Sequence, residues 1–314
     1  MISNRSSARK ALTKRLLAPL LTVATLLSLT PAGAQAEDGI KVFQRQLMIG
    51  GRIPSVILVV GWQKDAPDVE KLMDIVSSRA TESFMRLDWQ NPASDVARIN
   101  ASAGQDPVKV SEDVAHAFEE AKTISNWTGG AFDITASGAG SWKDIKVDLG
   151  ASTVELKRSG MQARFDPLVE GFLAEYLIRM ISGANMHNAM VKVGSVFRGV
   201  GQGLAGPWKI QVQDDEGTFA HHALNLVVSN AGIATVSANQ FRGQPLIDPR
   251  SKQAINPPCK GTTIVMKNAT QAQGVAMAVF VLGPEKGYEM LVKLGNARGL
   301  IVDGNGKFIR TPGF

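Results

Sequence analysis

Ala272-Gln273-Gly274-Val275-Ala276-Met277-Ala278-Val279-Phe280-Val281-Leu282-Gly283 is an apolar run broken only by one amide and one thioether. Val275, Ala278, Val279 and Leu282 recur at helical spacing, which predicts a helix with a buried face. Gln273 and Met277 are four residues apart and therefore neighbours on one side of that helix. The run becomes informative through what precedes it.

Working outward, Pro284 opens a second helix over residues 284–294. Strands are predicted at 189–193, 208–213, 224–229, 264–267 and 300–303. Upstream, residues 53–60 read Ile-Pro-Ser-Val-Ile-Leu-Val-Val and end at Gly61, a strand in which Pro54 requires an edge or a strand start. Val69, Leu72, Met73, Val76, Phe84 and Leu87 then recur at mostly helical spacing behind Pro67. Ser94 is placed to cap a short helix through Asn100, and Ser111 with Glu112 and Asp113 to open a longer one ending near Trp127. A further helix is expected over 168–180, while the Gly-, Ser- and Ala-rich stretch 129–150 reads as loop and active-surface material rather than core. The mixture is α+β, with sheets and helices in one arrangement and no internal repeat.

Residues 1–36 are expected to be a cleaved secretory signal peptide. Arg5, Arg9, Lys10, Lys14 and Arg15 precede an apolar run at 16–29, and Ala34-Gln35-Ala36 supplies a small-x-small cleavage site. Pro19 interrupts a run already short of the ~20 residues a membrane span wants, so no stable span is expected after cleavage. The mature domain is then 37–314, periplasmic or secreted. The signal holds five of the 34 basic residues and none of the 28 acidic ones, so the mature chain is nearly neutral and gives no case for nucleic-acid binding. Cys259 is the only cysteine and excludes an internal disulfide, and the 44 % hydrophobic composition suffices for a large core without staples.

Several segments join permissive glycine to an acid or an aromatic ring, the parts needed to hold phosphates and a flat ring. They are Met48-Ile49-Gly50-Gly51-Arg52 and Thr128-Gly129-Gly130-Ala131-Phe132-Asp133-Ile134-Thr135, followed by Trp142. With Pro92 to Asn100, Glu170-Gly171-Phe172, Val191-Lys192-Val193-Gly194-Ser195, Gly199 to Gly201, Pro207-Trp208, Ile233-Ala234-Thr235, Ile247-Asp248-Pro249-Arg250 and the opening run, they form an ordered series. In order and spacing this series resembles the FAD:protein FMN transferases of the ApbE type.

The resemblance implies an α+β flavin transferase fold and an enzyme that takes FAD and, with a divalent cation such as magnesium, attaches FMN to a Ser or Thr of a periplasmic acceptor protein. Carried over residue by residue, it makes Met48, Gly50, Gly130, Phe132, Asp133, Glu170, Gly171, Gly194, Ser195 and Thr235 the flavin-binding candidates. Asp248 is the catalytic candidate, and Gln273 and Met277 stand where the family keeps an Asp and a Thr as metal ligands. Glu170 replaces a family Lys, Ser195-Val196 replaces Gly-Asp, Pro245 stands at a family His, and Ser251-Lys252 replace Thr-Gly. An amide offers a neutral oxygen, but a thioether is a poor ligand for a hard cation. The alternative expectation is a catalytically impaired member that acts as a flavin-binding or assembly factor for a redox protein. Elsewhere, His221-His222 could hold a transition metal but reads more readily as exposed loop, and no Ser-His-Asp pattern is present.

Overall fold

Strands with apolar residues on both faces need cover on both sides, and that requirement organises this chain. The computed structural model describes residues 39–212, 224–243 and 245–314. The expected signal peptide and His221-His222 lie outside the described residues.

In chain order, β1 (Ile40–Ile49) and β2 (Ile53–Trp62) form a hairpin, followed by α1 (Ala66–Leu87) and α2 (Asp95–Ala101). Next come β3 (Val108–Lys109), α3 (Glu112–Trp127), β4 (Ile145–Asp148), β5 (Thr153–Leu156) and α4 (Val169–Gly183). The chain continues through β6 (Ala189–Val193), β7 (Val196–Val200), β8 (Trp208–Val212), β9 (Leu224–Val228) and β10 (Ala231–Ser237). It ends with β11 (Leu246–Asp248), β12 (Gln253–Ile255), β13 (Cys259–Met266), α5 (Ala269–Leu282), α6 (Pro284–Leu294), β14 (Arg298–Asp303) and β15 (Phe308–Arg310).

The main sheet has eight strands in the order β1-β2-β6-β7-β10-β13-β14-β15, every neighbouring pair antiparallel. Period-two alternation divides its side chains. Ile57, Val59, Val191, Val193, Ala234, Val236 and Ile264 join the large core made with the helices. Met190, Phe197, Ile233 and Val265 face the other way, into a smaller core closed by Trp208, Ile210 and Val212 of β8 and Val228 of β9. Residues 40–314 make one compact unit.

The opening run is α5, buried on nearly every side, as an all-round apolar helix must be. It packs on β10, β13, α4, α3 and α6. Its N-terminus is fixed by polar groups: the Asn268 side chain accepts from Gln271 N at 3.0 Å, and Glu175 Oε2 accepts from Ala269 N at 2.9 Å. Both bonds satisfy first-turn N–H groups that a helix leaves without internal partners.

One local expectation changes. Residues 130–135 are buried, not surface loop, because side-chain oxygens take over the backbone donors that the absent regular structure leaves open. Ser111 opens α3 as expected, and its hydroxyl donates to Asp95 Oδ2 at 2.7 Å. Pro54 sits at the start of β2, an interior strand, and its carbonyl accepts from Gly194 N at 3.0 Å.

Candidate functional site

The sheet brings the candidates together in two groups. The first forms where the β6–β7 turn meets the N-terminus of α4. Glu170 Oε2 accepts from both Ser195 N (2.9 Å) and Ser195 Oγ (2.7 Å). Gly194 is in the left-handed region at φ 53°, which favours glycine, and a Cβ there would displace the Glu170 carboxyl. Burial pushes the Glu170 carboxyl above its ordinary value, while the two Ser195 bonds pull it down. One residue on, Gly171 N donates to Gln273 Oε1 at 2.7 Å, joining the first turn of α4 to α5. The helices touch here: a Cβ on Gly171 would stand 2.6 Å from the Ala269 carbonyl oxygen and 3.0 Å from Gln273 Oε1.

The second group forms at the buried 130–135 segment and the β11–β12 hairpin. Asp133 Oδ1 accepts from Thr135 N (2.8 Å) and Thr135 Oγ1 (2.7 Å), and Oδ2 accepts from Trp142 N at 3.0 Å. Phe132 is buried in the main core. Gly130 lies against the Trp142 indole and the Arg250 side chain. Asp248 accepts from Arg250 Nε at 2.9 Å, from its terminal nitrogen at 2.6 Å and from its backbone N at 3.0 Å. Those bonds hold the Asp248 carboxyl below the usual carboxylate range against the opposing effect of burial. Asp248 is therefore a fixed anion that aims a guanidinium, and a poor acceptor for a transferred proton.

Lys252 belongs to this group although sequence reasoning gave it no role. Its Nζ donates to the Thr135 carbonyl at 2.9 Å, and burial lowers its ammonium while nearby Asp133 raises it. It occupies the left-handed region at φ 59°, at a cost of about 1 kcal/mol for a side chain with a Cβ. The available signal was its place at a position where the resembling family keeps glycine.

The remaining candidates lie apart from these bonded groups. Met48 is 53 % exposed and lines a groove against α1 with Ser77, Thr81 and Met85. Gly50 is at the β1–β2 turn, packed against the Phe84 ring. Thr235 is buried, with its Oγ1 3.1 Å from Thr263 Oγ1. Arg164 stacks over Trp89 at 4.0 Å, and the Trp89 indole donates to Asp166 at 2.9 Å. Cys259 is inert: it is buried, its thiol pushed up to about 12.

A hard divalent cation wants a set of oxygen donors. The Gln273 oxygen is already an acceptor for Gly171 N, and Met277 presents sulfur. Among the described residues no group of three or more His, Cys, Asp or Glu converges on one point. The residues present do not fit magnesium.

The sequence profile of the ApbE family matches residues 60–140 and 136–301. The chain belongs to the ApbE family of flavin transferases. An FAD:protein FMN transferase of Treponema pallidum is 24 % identical over 278 residues, covering 73 % of this chain and 76 % of that protein. One from Haemophilus influenzae is 22 % identical over 339 residues, covering 94 % and 95 %. The apo flavinyl transferase ApbE of Pseudomonas stutzeri shares the fold at TM-score 0.73 and 21 % identity, over 87 % of this chain and 94 % of its own. The ApbE protein of Thermotoga maritima shares it at TM-score 0.72 and 18 % identity, over 87 % and 97 %.

Proposed function

We propose that this ApbE family chain takes FAD as substrate and transfers its FMN half to a Ser or Thr hydroxyl of a periplasmic acceptor protein, reached after removal of residues 1–36. The family match across almost the whole mature chain carries this reading. In the transfer, the acceptor oxygen bonds to the FMN phosphorus, the pyrophosphate P–O bond to AMP breaks, and the hydroxyl proton leaves to solvent or phosphate. Arg250, aimed by Asp248 beside Gly130 and Trp142, supplies fixed positive charge for a phosphate. Lys252 adds a second cation on the same hairpin. Asp133 holds the Trp142 loop in place through its backbone bond and serves as a positioning residue.

A second reading is favoured by one observation: the buried Gln273 carbonyl oxygen accepts from Gly171 N, at a position where the resemblance puts a carboxylate ligand. It describes a member that binds flavin and assists assembly of a redox protein without transferring it. The two are separated by incubating the mature chain with FAD and a Ser/Thr-containing acceptor protein, then measuring intact mass. Covalent FMN on the acceptor supports transfer, whereas saturable FAD binding with unmodified acceptor supports the assembly role.

A further inference from the structure

We infer that this chain works without a divalent cation, because, of the two positions where the family resemblance puts metal ligands, Gln273 locks α4 to α5 and Met277 packs a thioether against the core. The lock begins with Gly171 N, a first-turn donor of α4 that lacks an intrahelical partner. Gln273 Oε1 satisfies it at 2.7 Å from within a side chain only 6 % exposed. A neutral amide oxygen suits this buried bond, since it brings no charge that needs a counter-ion.

Space argues the same way. A magnesium ion takes oxygens at about 2.0–2.1 Å in an octahedral shell and keeps several waters. The helices approach so closely at this point that even a methyl group on Gly171 would meet the Ala269 carbonyl and the Gln273 side chain. Met277, one turn further along α5, is packed against the apolar core and offers only a soft sulfur.

Glu170, which precedes Gly171, does not repair the deficit. Glu170 Oε2 already accepts two bonds from Ser195, and its carboxyl rests on the Gly194 backbone. Its place in the first turn of α4 is accounted for by the helix dipole and by those two donors. Gln273 bonds Gly171, the neighbouring Glu170 bonds Ser195, and Met277 packs against the core, while positive charge is found on the hairpin that carries Arg250 and Lys252. This inference uses the family reading only to locate the ligand positions, and its test reads metal directly.

The test is manganese titration of the purified mature chain, with free manganese followed by electron paramagnetic resonance, in the absence and presence of FAD. The free signal is expected to be undiminished by the wild-type chain in both arms. Gln273→Asp combined with Met277→Thr restores a carboxylate and a hydroxyl, and is expected to bind manganese at least about tenfold more tightly than wild type. Met277→Thr alone leaves the Gly171 bond intact and is expected to behave like wild type, which keeps the test informative if the double variant misfolds. Stoichiometric manganese binding by the wild type overturns the inference. So does a gain in the single variant, or a folded double variant that binds no better than wild type. Failure of FMN transfer leaves these readings intact, so the two claims fail separately.

Discussion

The α4–α5 junction and the β11–β12 hairpin sit among residues of the same family series, yet they are built in opposite ways. At the junction, Ser195 bonds Glu170 and Gly171 bonds Gln273, each pair joining elements distant in sequence. At the hairpin, Asp248 and Arg250 pair two residues apart, Arg250 remains 40 % exposed at its side chain, and Lys252 reaches across to Thr135. Buried polar groups that satisfy each other stabilise the fold, whereas a fixed and accessible cation is available to a ligand. The difference teaches that departures from a family pattern need not be losses: at the junction they build structure, and the hairpin keeps charge at the surface.

The largest expected effect breaks the junction. Gly194→Val forces a branched side chain into the left-handed region and into the Glu170 carboxyl. A loss of about 3 kcal/mol or more is expected in urea denaturation. Gln273→Ala leaves the Gly171 donor buried without a partner, and a loss of about 1–3 kcal/mol follows.

Glu170→Gln sharpens the electrostatic side of the comparison. The folded-state value of Glu170 is raised above its ordinary one, so its contribution is fully present below the ordinary glutamate range and is lost as pH rises through the raised value. Glutamine retains an acceptor for Ser195 but cannot ionise. The variant is therefore expected to gain thermal stability relative to wild type at about pH 8, with the gain vanishing at about pH 4. Equal differences at the two pH values would refute a buried carboxyl under strain.

At the hairpin the expected pattern reverses. Arg250→Ala is expected to weaken FAD binding about tenfold while changing stability by less than about 1 kcal/mol, as suits an exposed pair. Smallest of all, Lys252→Gly relieves about 1 kcal/mol of backbone cost and removes one bond of similar worth, so thermal denaturation should place it close to wild type.

Much of the fold was legible where local pattern decides it. The helix at 284–294 begins and ends as Pro284 and its spacing indicate, and Ser94 caps α2 through Ala97 N. α5 starts earlier than its apolar run because Asn268, not Ala272, supplies the cap. β1 escaped notice because Lys41, Gln44, Arg45 and Gln46 break its apolar pattern, as an edge strand allows. Strand order was beyond reach, since β10 pairs with both β7 and β13 through contacts that leave no local signature.

The site divided along the same line. Gly130, Asp133, Asp248 and Arg250 were visible as motif residues, and the structure assembles them through Trp142 and the hairpin. The Gly171–Gln273 bond joins residues 102 positions apart and has no sequence signal of its own. Lys252 was visible only as a departure from a family glycine, and its bond to the Thr135 carbonyl, 117 positions away, has no sequence signal.

We propose that this ApbE family member binds FAD without a divalent cation, with Gln273 bonded to Gly171 between α4 and α5. The most direct measurement is the FAD dissociation constant of the mature chain in chelator and in millimolar magnesium. The account predicts saturable binding with the same constant in both, within about twofold. Binding at least about tenfold tighter with magnesium, or no FAD binding in either buffer, would contradict it.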